Sequence, residues 1–466
     1  MSTRLFLNKK ELSYIVLFTV YLLAYMIVLA VTDRIVQANE VSSSTLLMHY
    51  LPGITRILGF VSFHLSRRLI RKAKGRKLTL VAIALIFLAS AVIPITVSAA
   101  IPVLISVFTL SFSLGHLGGL VYYCVSVAFS ADRRKGRFIG IACSASILFQ
   151  FFLNGSFDVS AQLITAAILF IFVSYLIIKS PSDYILEDPL PYTGESREFA
   201  HDVRLQLTGI IVIIFICMLL ACRTDIEFVS MSFDGSLNIY SYPRLMMIAG
   251  YLLMGFCADL TSPKTCSKIF FSGVLLSAVL VLMPISGGSY AFFLGLYYFF
   301  ISLYIFFYTY SFISVAPRTG APELWASMGR PLSDFLVATI SLIMLRIGSE
   351  RLDSSPIGYA VYYLVLLIAL YLIITSIKPN PNLTDDDASS DADGPLSVRE
   401  WLNGFPLTPR ELDVACLLID TDAPIKAIAA TLQISERSVY RYSASIYEKT
   451  GTDNRTGLMK AYMSQS

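Results

Sequence analysis

Long runs of apolar residues alternate with short polar stretches over the first four-fifths of the chain. A helix that crosses the hydrocarbon core of a bilayer needs about 20 mostly apolar residues, and residues 1–378 contain twelve such runs. The first six lie at 13–33, 46–66, 78–97, 101–130, 137–154 and 161–179, and the second six lie at 206–223, 241–259, 268–286, 290–315, 331–347 and 357–377. This pattern predicts an all-α, multi-pass membrane domain of twelve transmembrane helices in two sets of six.

Basic residues concentrate in loops at one end of the predicted bundle. Residues 67–77 read RRLIRKAKGRK, and residues 131–137 read ADRRKGR. The loop at the opposite end, QANEVSSST (37–45), contains no lysine or arginine. Basic loops stay on the cytoplasmic side. We therefore expect an inner (cytoplasmic) membrane protein with both chain ends in the cytoplasm.

The composition supports a membrane protein and offers no catalytic constellation. The chain is 56% hydrophobic and 15% charged, whereas a soluble domain carries roughly 25% charged residues. Its seven cysteines show no metal-ligand spacing, and its four histidines are scattered. Free buried thiols are the expected state of the cysteines. We expect no metal, no cofactor and no enzymatic activity.

Tyrosines recur along one face of the first predicted helix and of the tenth. At 100° per residue, the members of each set lie within about 40° of one another. The sets are Tyr14, Tyr21 and Tyr25 in the first helix and Tyr290, Tyr297, Tyr304 and Tyr308 in the tenth. Two interpretations are open: the tyrosines pack helices together, or they line a cavity for a small molecule that is aromatic or carries hydroxyl groups.

Ionisable residues inside the apolar runs are a second set of candidates, because charges at membrane depth are expensive and mark functional sites. Arg56 lies in the middle of the second run, Arg244 in the eighth and Asp334 in the eleventh. In the fourth run, His116 and Tyr123 are seven residues apart on one face. Other charges near the predicted outer ends are expected to be exposed or to reach the membrane surface, namely Asp33, Arg34, Asp225, Glu227 and Arg346.

The two six-helix halves carry related sequences that resemble the major facilitator superfamily. GFVSFHLSRR (59–68) lies at the end of the second run, and GFCAD (255–259) lies at the matching place in the eighth. Asp259 keeps the acid of the family's loop motif, whereas Phe63 occupies its position in the first half. The resemblance implies a central cavity lined by helices 1, 4, 7 and 10. The candidate ligand-binding residues are Tyr21, Tyr25, Arg56, His116, Tyr123, Arg244, Tyr297, Tyr304, Tyr308 and Asp334.

A polar, aspartate-rich stretch separates this domain from the rest of the chain. KPNPNLTDDDASSDADGP (378–395) contains five aspartates and three prolines, a composition typical of a disordered tether. We expect a flexible linker over residues 379–406, which would span about 30 Å as a coil. A separate domain is expected over residues 407–466.

Helix start and stop signals in residues 407–466 predict four short helices. Thr408 and Glu411 form a capping box ahead of the first helix, and Pro424 begins the second. After a turn at residues 433–434, Ser435 is the N-cap of the third helix, which Gly451 ends. The fourth helix is expected over residues 456–463. Two short helices joined by a tight turn are typical of a helix-turn-helix.

The spacing of residues in this domain resembles the LuxR/NarL-type DNA-binding domain. The resemblance rests on LTPRE (407–411), IAATLQISERSV (428–439), IYEK (446–449) and NRT (454–456). It implies that Tyr440, Arg441 and Ala444 reach base edges. Side chains better placed for phosphates are Lys426, Ser435, Arg437, Ser438, Lys449 and Arg455. Residues 396–466 carry eight basic and eight acidic residues, so we expect weak binding by one copy and a homodimer on double-stranded DNA.

These features together predict a membrane-bound one-component transcriptional regulator. Its transporter-like domain would sense a small molecule, and its cytoplasmic domain would bind promoter DNA. An alternative is a major facilitator-type transporter that carries a regulatory tail. A third interpretation makes the terminal domain a protein-interaction module without a DNA site.

Overall fold

The computed structural model describes most of the chain. The described residues are 9–38, 45–70, 72–129, 134–179, 197–261, 263–282, 290–351, 364, 368, 398–402, 404–405, 407–420, 424–432 and 435–463. By its contacts the chain divides into two compact units. The membrane unit comprises residues 1–190 and 195–379, and the terminal unit comprises residues 191–194 and 380–466.

The described part of the membrane unit consists of helices joined by short connections, as the apolar pattern predicts. The helices of the first half are α1 (Lys9–Ala38), α2 (Thr45–Leu69), α3 (Ala73–Thr96), α4 (Ala100–Ala128), α5 (Lys135–Ser156) and α6 (Val159–Lys179). Those of the second half are α7 (Arg197–Phe233), α8 (Met246–Leu260), α9 (Pro263–Leu282), α10 (Tyr290–Val315), the short α11 (Pro322–Trp325) and α12 (Gly329–Arg351). Short 3-10 helices at Tyr242–Leu245 and Ala316–Arg318 precede α8 and follow α10.

Eleven of the twelve predicted runs coincide with helices in the described residues. The short α11 corresponds to no run, so the eleventh run, 331–347, corresponds to α12. The predicted run 357–377 lies outside the described residues, except for positions 364 and 368, which are helical. Within the described part, eight helices are long and apolar enough to cross a membrane: α1, α3 to α8 and α10. The second helix and α12 are not among these eight, and both contain charged residues, among which are Arg56 and Asp334.

The seventh helix is longer than its apolar run. It ends at Phe233, about ten residues beyond the end of the predicted run. Hydropathy marks only the apolar portion of a helix, so the predicted run ended before the polar residues 224–233. The extension carries Asp225 into the helix, where the carboxylate faces other helices.

Close packing of α2 against α4 fixes the position of Arg56. A Cβ atom placed on Gly115 would lie 2.1 Å from the carbonyl oxygen of Arg56. Only glycine therefore allows the two backbones to approach this closely. Between the halves, α5 packs along α8 and α2 packs along α12. These two contacts bring the first and second halves together around α1 and α10.

The terminal unit has its own hydrophobic core. Its helices are α13 (Val398–Leu402), α14 (Pro409–Asp420), α15 (Ile425–Thr431), α16 (Glu436–Thr450) and α17 (Arg455–Met463). The buried residues include Leu402, Val414, Leu418, Val439 and Ile446, each fully enclosed. These residues come from three of the five helices, Val398–Leu402, Pro409–Asp420 and Glu436–Thr450.

One segment differs from the expected linker over residues 379–406. Residues 398–402 form α13, and Trp401 and Leu402 are buried in the core of the terminal unit. The Trp401 ring packs 5.1 Å from Phe405 and 5.7 Å from Tyr462, measured between ring centroids. Burying an aromatic ring of this size contributes substantially to a small core. The sequence did not predict this helix, because five residues are too few to show a helical period of apolar positions.

Candidate DNA-binding face and candidate ligand cavity

The sequence signals that define α16 are present in the structure. The Ser435 side-chain oxygen accepts a hydrogen bond from the backbone N–H of Ser438 at 3.1 Å. At the other end, Gly451 has φ +68°, a left-handed conformation that glycine adopts without strain. The backbone N–H of Thr452 then bonds the Tyr447 carbonyl at 2.9 Å. The predicted start and end of this helix are therefore confirmed, whereas the turn at residues 433–434 lies outside the described residues.

The outward face of α16 carries the residues expected to meet DNA. Arg437, Tyr440, Arg441 and Ala444 are all exposed, and the Tyr440 side chain is 61% accessible. The Arg441 guanidinium lies over the Tyr442 ring at 5.3 Å, which leaves its outer edge directed away from the core. Glu448 is exposed on the same face. The predicted DNA contacts did not include this carboxylate.

The remaining candidates for phosphate contacts fall into two groups. Lys426 and Ser435 are exposed, and Ser438 is half-buried beside Ser435. In contrast, the Lys449 ammonium lies 2.6 Å from the Glu411 carboxylate. The Arg455 Nε donates to the Leu418 carbonyl at 2.7 Å, near the end of α14. Both of these cations stabilise the fold of the domain, a role that sequence analysis did not assign to them.

Glu411 connects the start of α14 to the recognition helix α16. Its Oε2 accepts from the Thr408 backbone N–H at 2.6 Å, and its own N–H lies 3.3 Å from the Thr408 hydroxyl oxygen. The predicted capping box is therefore present. The carboxylate also accepts from Ser445 at 2.5 Å and pairs with Lys449. Although burial raises the pKa of this carboxyl, the hydrogen bonds from Lys449, Ser445 and Thr408 lower it to about 2.

In the membrane unit, five polar residues meet between the two halves. We call Tyr25, Arg56, Tyr308, Arg330 and Asp334 the central cluster. The Arg56 Nε lies 3.2 Å from Asp334 Oδ2, and the Tyr25 hydroxyl donates to the same oxygen at 3.0 Å. The Arg330 Nε and Nη1 donate to the hydroxyl oxygens of Tyr25 and Tyr308, each at 2.9 Å. These contacts join α1 and α2 of the first half to α10 and α12 of the second.

Four of the five cluster residues were predicted, and Arg330 was missed. Arg330 is the second residue of α12, one position before the predicted run begins. Its side chain also lies 3.6 Å from Asp334 Oδ1 and 4.9 Å from the Tyr25 ring centroid. The signal that could have found it is the i, i+4 spacing to Asp334. Tyr21 lies next to the cluster, with its ring centroid 6.3 Å from that of Tyr25.

His116 and Tyr123 have partners outside the central cluster. The His116 Nδ1 lies 2.8 Å from the Ser62 hydroxyl. Tyr123 accepts a hydrogen bond from the Arg67 guanidinium at 3.2 Å, and that guanidinium lies over the tyrosine ring. Both contacts join α2 to α4 within the first half. Their place in the cavity that contains Tyr25 stays a prediction.

Arg244 and Tyr297 belong to a second polar cluster, at the end of the bundle opposite the basic loops. Tyr297 donates to Asp225 Oδ1 at 2.9 Å, and Tyr50 donates to Oδ2 at 3.1 Å. The Arg244 guanidinium lies over two further tyrosine rings, at 4.9 and 5.5 Å from their centroids. Asp225 was expected to be exposed, but here its carboxylate accepts two tyrosine hydroxyls.

The burial of Asp33 also contradicts the expectation from its position. Its side chain is nearly fully buried. His49 Nδ1 lies 2.8 Å from one carboxylate oxygen, and the Tyr240 hydroxyl donates to the other. A buried carboxylate requires such partners. The partners come from α2 and from the segment before α8, which are distant in sequence. No local sequence pattern therefore predicts these partners of Asp33.

Tyr304 is not brought to either cluster. Its hydroxyl forms a hydrogen bond with Ser277 of α9, and its ring packs 6.2 Å from Phe270 of the same helix. Tyr304 and Tyr308 differ by about 40° around the axis of α10 and by about 6 Å along it. The outer and inner tyrosines of α10 therefore meet different neighbours.

A small internal cavity lies between the halves beside Arg330. Tyr25, Met26, Tyr122, Tyr251 and Arg330 contribute to its walls. Its volume is about 10 Å³, close to the smallest space that holds one water molecule. In this conformation the site is closed, and an organic molecule enters only if the halves move apart.

At the basic-loop end, two contacts between polar side chains join the halves. Asp259 accepts from the backbone N–H groups of Gly136 and Arg137, at 2.8 and 2.7 Å, and from the Arg137 side chain at 3.1 Å. The carboxylate thus lies at the N-terminus of α5, where the helix dipole favours negative charge. On the other side, His64 of α2 lies 3.0 Å from Glu323 of α11. Because Phe63 replaces the acid of α2, the carboxylate of this second pair comes from the opposite half.

Comparisons with known proteins agree with this division into two units. Residues 406–461 match the family model of the bacterial regulatory proteins of the luxR family, GerE. No curated protein sequence matches the chain. The fold is similar to that of the human organic anion transporter MFSD10 (TETRAN), with a TM-score of 0.53 and 14% identity over 79% of this chain and 100% of that chain. The fucose:proton symporter FucP of E. coli gives a TM-score of 0.48 and 11% identity, over 79% of this chain and 98% of that chain. The chain thus joins a luxR-family domain, at residues 406–461, to a helical unit whose fold is similar to that of a transporter of known structure.

Proposed function

We propose that the protein is a membrane-embedded one-component transcriptional regulator. A small molecule bound in the membrane unit would control DNA binding by the terminal unit of the same chain. The observation that carries the proposal is the presence, in one chain, of an exposed polar face on α16 and of a cluster of polar side chains between the two halves of the membrane unit. The luxR-family match supports the output, and the transporter-like fold supports the input.

The central cluster supplies a physical basis for sensing. Tyr25 and Arg56 come from the first half, whereas Tyr308, Arg330 and Asp334 come from the second. A ligand that binds among them must replace some of the contacts that bridge the halves. Such a ligand has different affinities for the closed and open conformations, and this difference shifts their populations.

For the DNA contact, we propose that Arg441 reads a base. A guanidinium can donate two hydrogen bonds to one guanine, which is worth roughly 1–3 kcal/mol of discrimination. Tyr440 and Ala444 would lie against neighbouring bases, and Lys426, Ser435, Arg437 and Ser438 would contact phosphates. The equal numbers of acidic and basic residues over 396–466 favour a homodimer on a two-fold site, paired through α17.

The proposed arrangement places the protein in the inner membrane with both ends in the cytoplasm. The basic loops at 67–77 and 131–137 support this orientation. It puts the terminal unit in the compartment that contains the DNA.

Chromatin immunoprecipitation with the full-length protein tests the regulatory function. The wild type is expected to occupy a small number of promoters, and Arg441→Ala should lose that occupancy at equal protein level. Arg204→Ala, at an exposed position of α7, is the matched control and should behave as the wild type. Promoter occupancy that survives Arg441→Ala would show that the recognition residue is wrongly assigned. If the wild type occupies no promoter, the terminal unit is a protein-interaction module instead.

A second candidate function is transport with a regulatory tail. It is favoured by one observation: hydrogen bonds join the halves at both ends of the bundle, around a small central cavity, as in the closed intermediate of alternating access. Uptake of labelled compounds into membrane vesicles tests it. Concentrative uptake that depends on Arg330 would make flux the main activity.

A further inference from the structure

We propose that the ligand of the central cluster is a small organic anion, with a flat apolar body and one acidic group that binds the Arg330 guanidinium. This inference rests on the proposed sensing function, because it names the class of molecule that the site would sense.

The first argument is the charge of the central cluster. Two guanidinium groups, those of Arg56 and Arg330, share one carboxylate, that of Asp334. Arginine stays protonated in proteins, so the cluster carries one uncompensated positive charge when Asp334 is ionised. Among the described residues, no other carboxylate oxygen lies within 4.0 Å of either guanidinium. A buried charge without a partner is costly, and an anionic group supplied by a ligand would remove that cost.

The second argument is Arg244, which lies beside Met26 of the cavity wall. Its side chain is buried, with 8% of the residue accessible, and its Nε has no hydrogen-bond partner in the described part of the chain. Its Nη2 lies 3.4 Å from the sulfur of Met26, a residue that lines the cavity. The nearby Asp33 is already engaged by His49 and Tyr240. One guanidinium group thus lines the cavity and a second contacts a residue of its wall, which disfavours a cationic ligand.

The third argument is the shape and lining of the closed site. Three tyrosines, Tyr25, Tyr122 and Tyr251, form part of its wall and offer ring faces to a flat body. At about 10 Å³ the cavity does not hold such a body until the halves separate. The acidic group would then replace the tyrosine hydroxyls or Asp334 as an acceptor for Arg330. Binding of the anion and separation of the halves are thereby the same event.

Binding measurements on the full-length protein in lipid nanodiscs test the ligand class. The probes are benzoate, phenylacetate and 3-phenylpropionate, each compared with the alcohol and the amine that have the same carbon skeleton. At least one acid should bind at least tenfold more tightly than its alcohol, because a charge-assisted hydrogen bond is about twice as strong as a neutral one. Arg330→Met should abolish this preference, and Arg204→Met, at an exposed site, should preserve it.

The Arg330→Met variant is expected to fold, because Asp334 keeps Arg56 as its partner and the cluster becomes neutral. Arg330→Lys is the second variant; it keeps the charge but loses the two-pronged geometry, and it should retain part of the preference for acids. The proposal is overturned if no acid binds more tightly than its alcohol, if an amine binds best, or if folded Arg330→Met keeps the wild-type preference.

The same probes separate this inference from the sensing function. If the acids bind through Arg330 but promoter occupancy responds to none of them, the ligand class stands and the sensing function fails. If occupancy responds to the alcohols as strongly as to the acids, the sensing function stands and the ligand class fails.

Discussion

The ion pair between Glu411 and Lys449 makes the stability of the terminal unit depend on pH. The Glu411 carboxylate links the capping box of α14 to Ser445 and Lys449 of α16, the helix that carries Arg441. We expect Glu411→Gln to lower the free energy of unfolding of this domain at neutral pH. The change keeps the size of the side chain but removes the charge that these donors stabilise.

The size of the effect follows from the pKa of Glu411. The hydrogen bonds of the folded state lower this pKa from 4.5 to about 2, and one pKa unit corresponds to about 1.4 kcal/mol. The carboxylate therefore stabilises the fold by about 3 kcal/mol at neutral pH, a sizeable part of the stability of a small domain. Because the pKa is lower in the folded state, this contribution is present above about pH 5. It is lost as the pH falls towards about 2.

Urea unfolding of residues 396–466, followed by the fluorescence of Trp401, measures this contribution. Between pH 7 and pH 3 the wild-type domain should lose more stability than Glu411→Gln, whose stability should change less with pH. Glu448→Gln, at an exposed position of α16, is the matched control and should keep the wild-type pH profile. Equal pH profiles for the wild type and Glu411→Gln would refute the role given to this ion pair.

Four further predictions concern the recognition helix and the membrane site. Arg441→Ala should weaken binding to the specific site roughly 5- to 150-fold in a gel-shift titration, with little effect on random DNA. Lys426→Ala should weaken binding to all sequences alike and reduce the salt dependence by about one counterion. Gly451→Ala should destabilise the domain by about 1 kcal/mol in urea unfolding, because φ is +68° there. Tyr308→Phe should change the ligand response of a reporter strain since it loses the bond to Arg330, whereas Tyr304→Phe should leave the response unchanged.

The local features of the terminal unit could be predicted from the sequence because short-range chemistry determines them. The capping box at Thr408, the N-cap at Ser435 and the left-handed Gly451 each depend on residues within four positions. The role of Lys449 depends on a carboxylate 38 residues earlier in the chain. No pattern of spacing shows such a partner. The sequence therefore predicted a phosphate contact for Lys449 and not its ion pair with Glu411.

In the membrane unit, periodicity located the faces of helices but not their neighbours. The tyrosine pattern of α10 placed Tyr304 and Tyr308 on one face, yet the Tyr304 hydroxyl bonds Ser277 of α9 and the Tyr308 hydroxyl bonds Arg330. Likewise, the apolar runs placed Asp33 at a helix end, where exposure was the simplest expectation. Its burial depends on how α1, α2 and the second half pack together, and hydropathy carries no information about that packing.

The coupling between the two units is the central claim, and promoter occupancy in membrane-site variants tests it most directly. Arg330→Met changes the membrane unit and leaves every residue of the terminal unit intact. In chromatin immunoprecipitation at equal protein levels, we expect it to change occupancy of the target promoters at least fivefold, the lower range of allosteric coupling. Arg204→Met should match the wild type. The same occupancy for Arg330→Met and the wild type, with and without the acids that bind, would contradict the account.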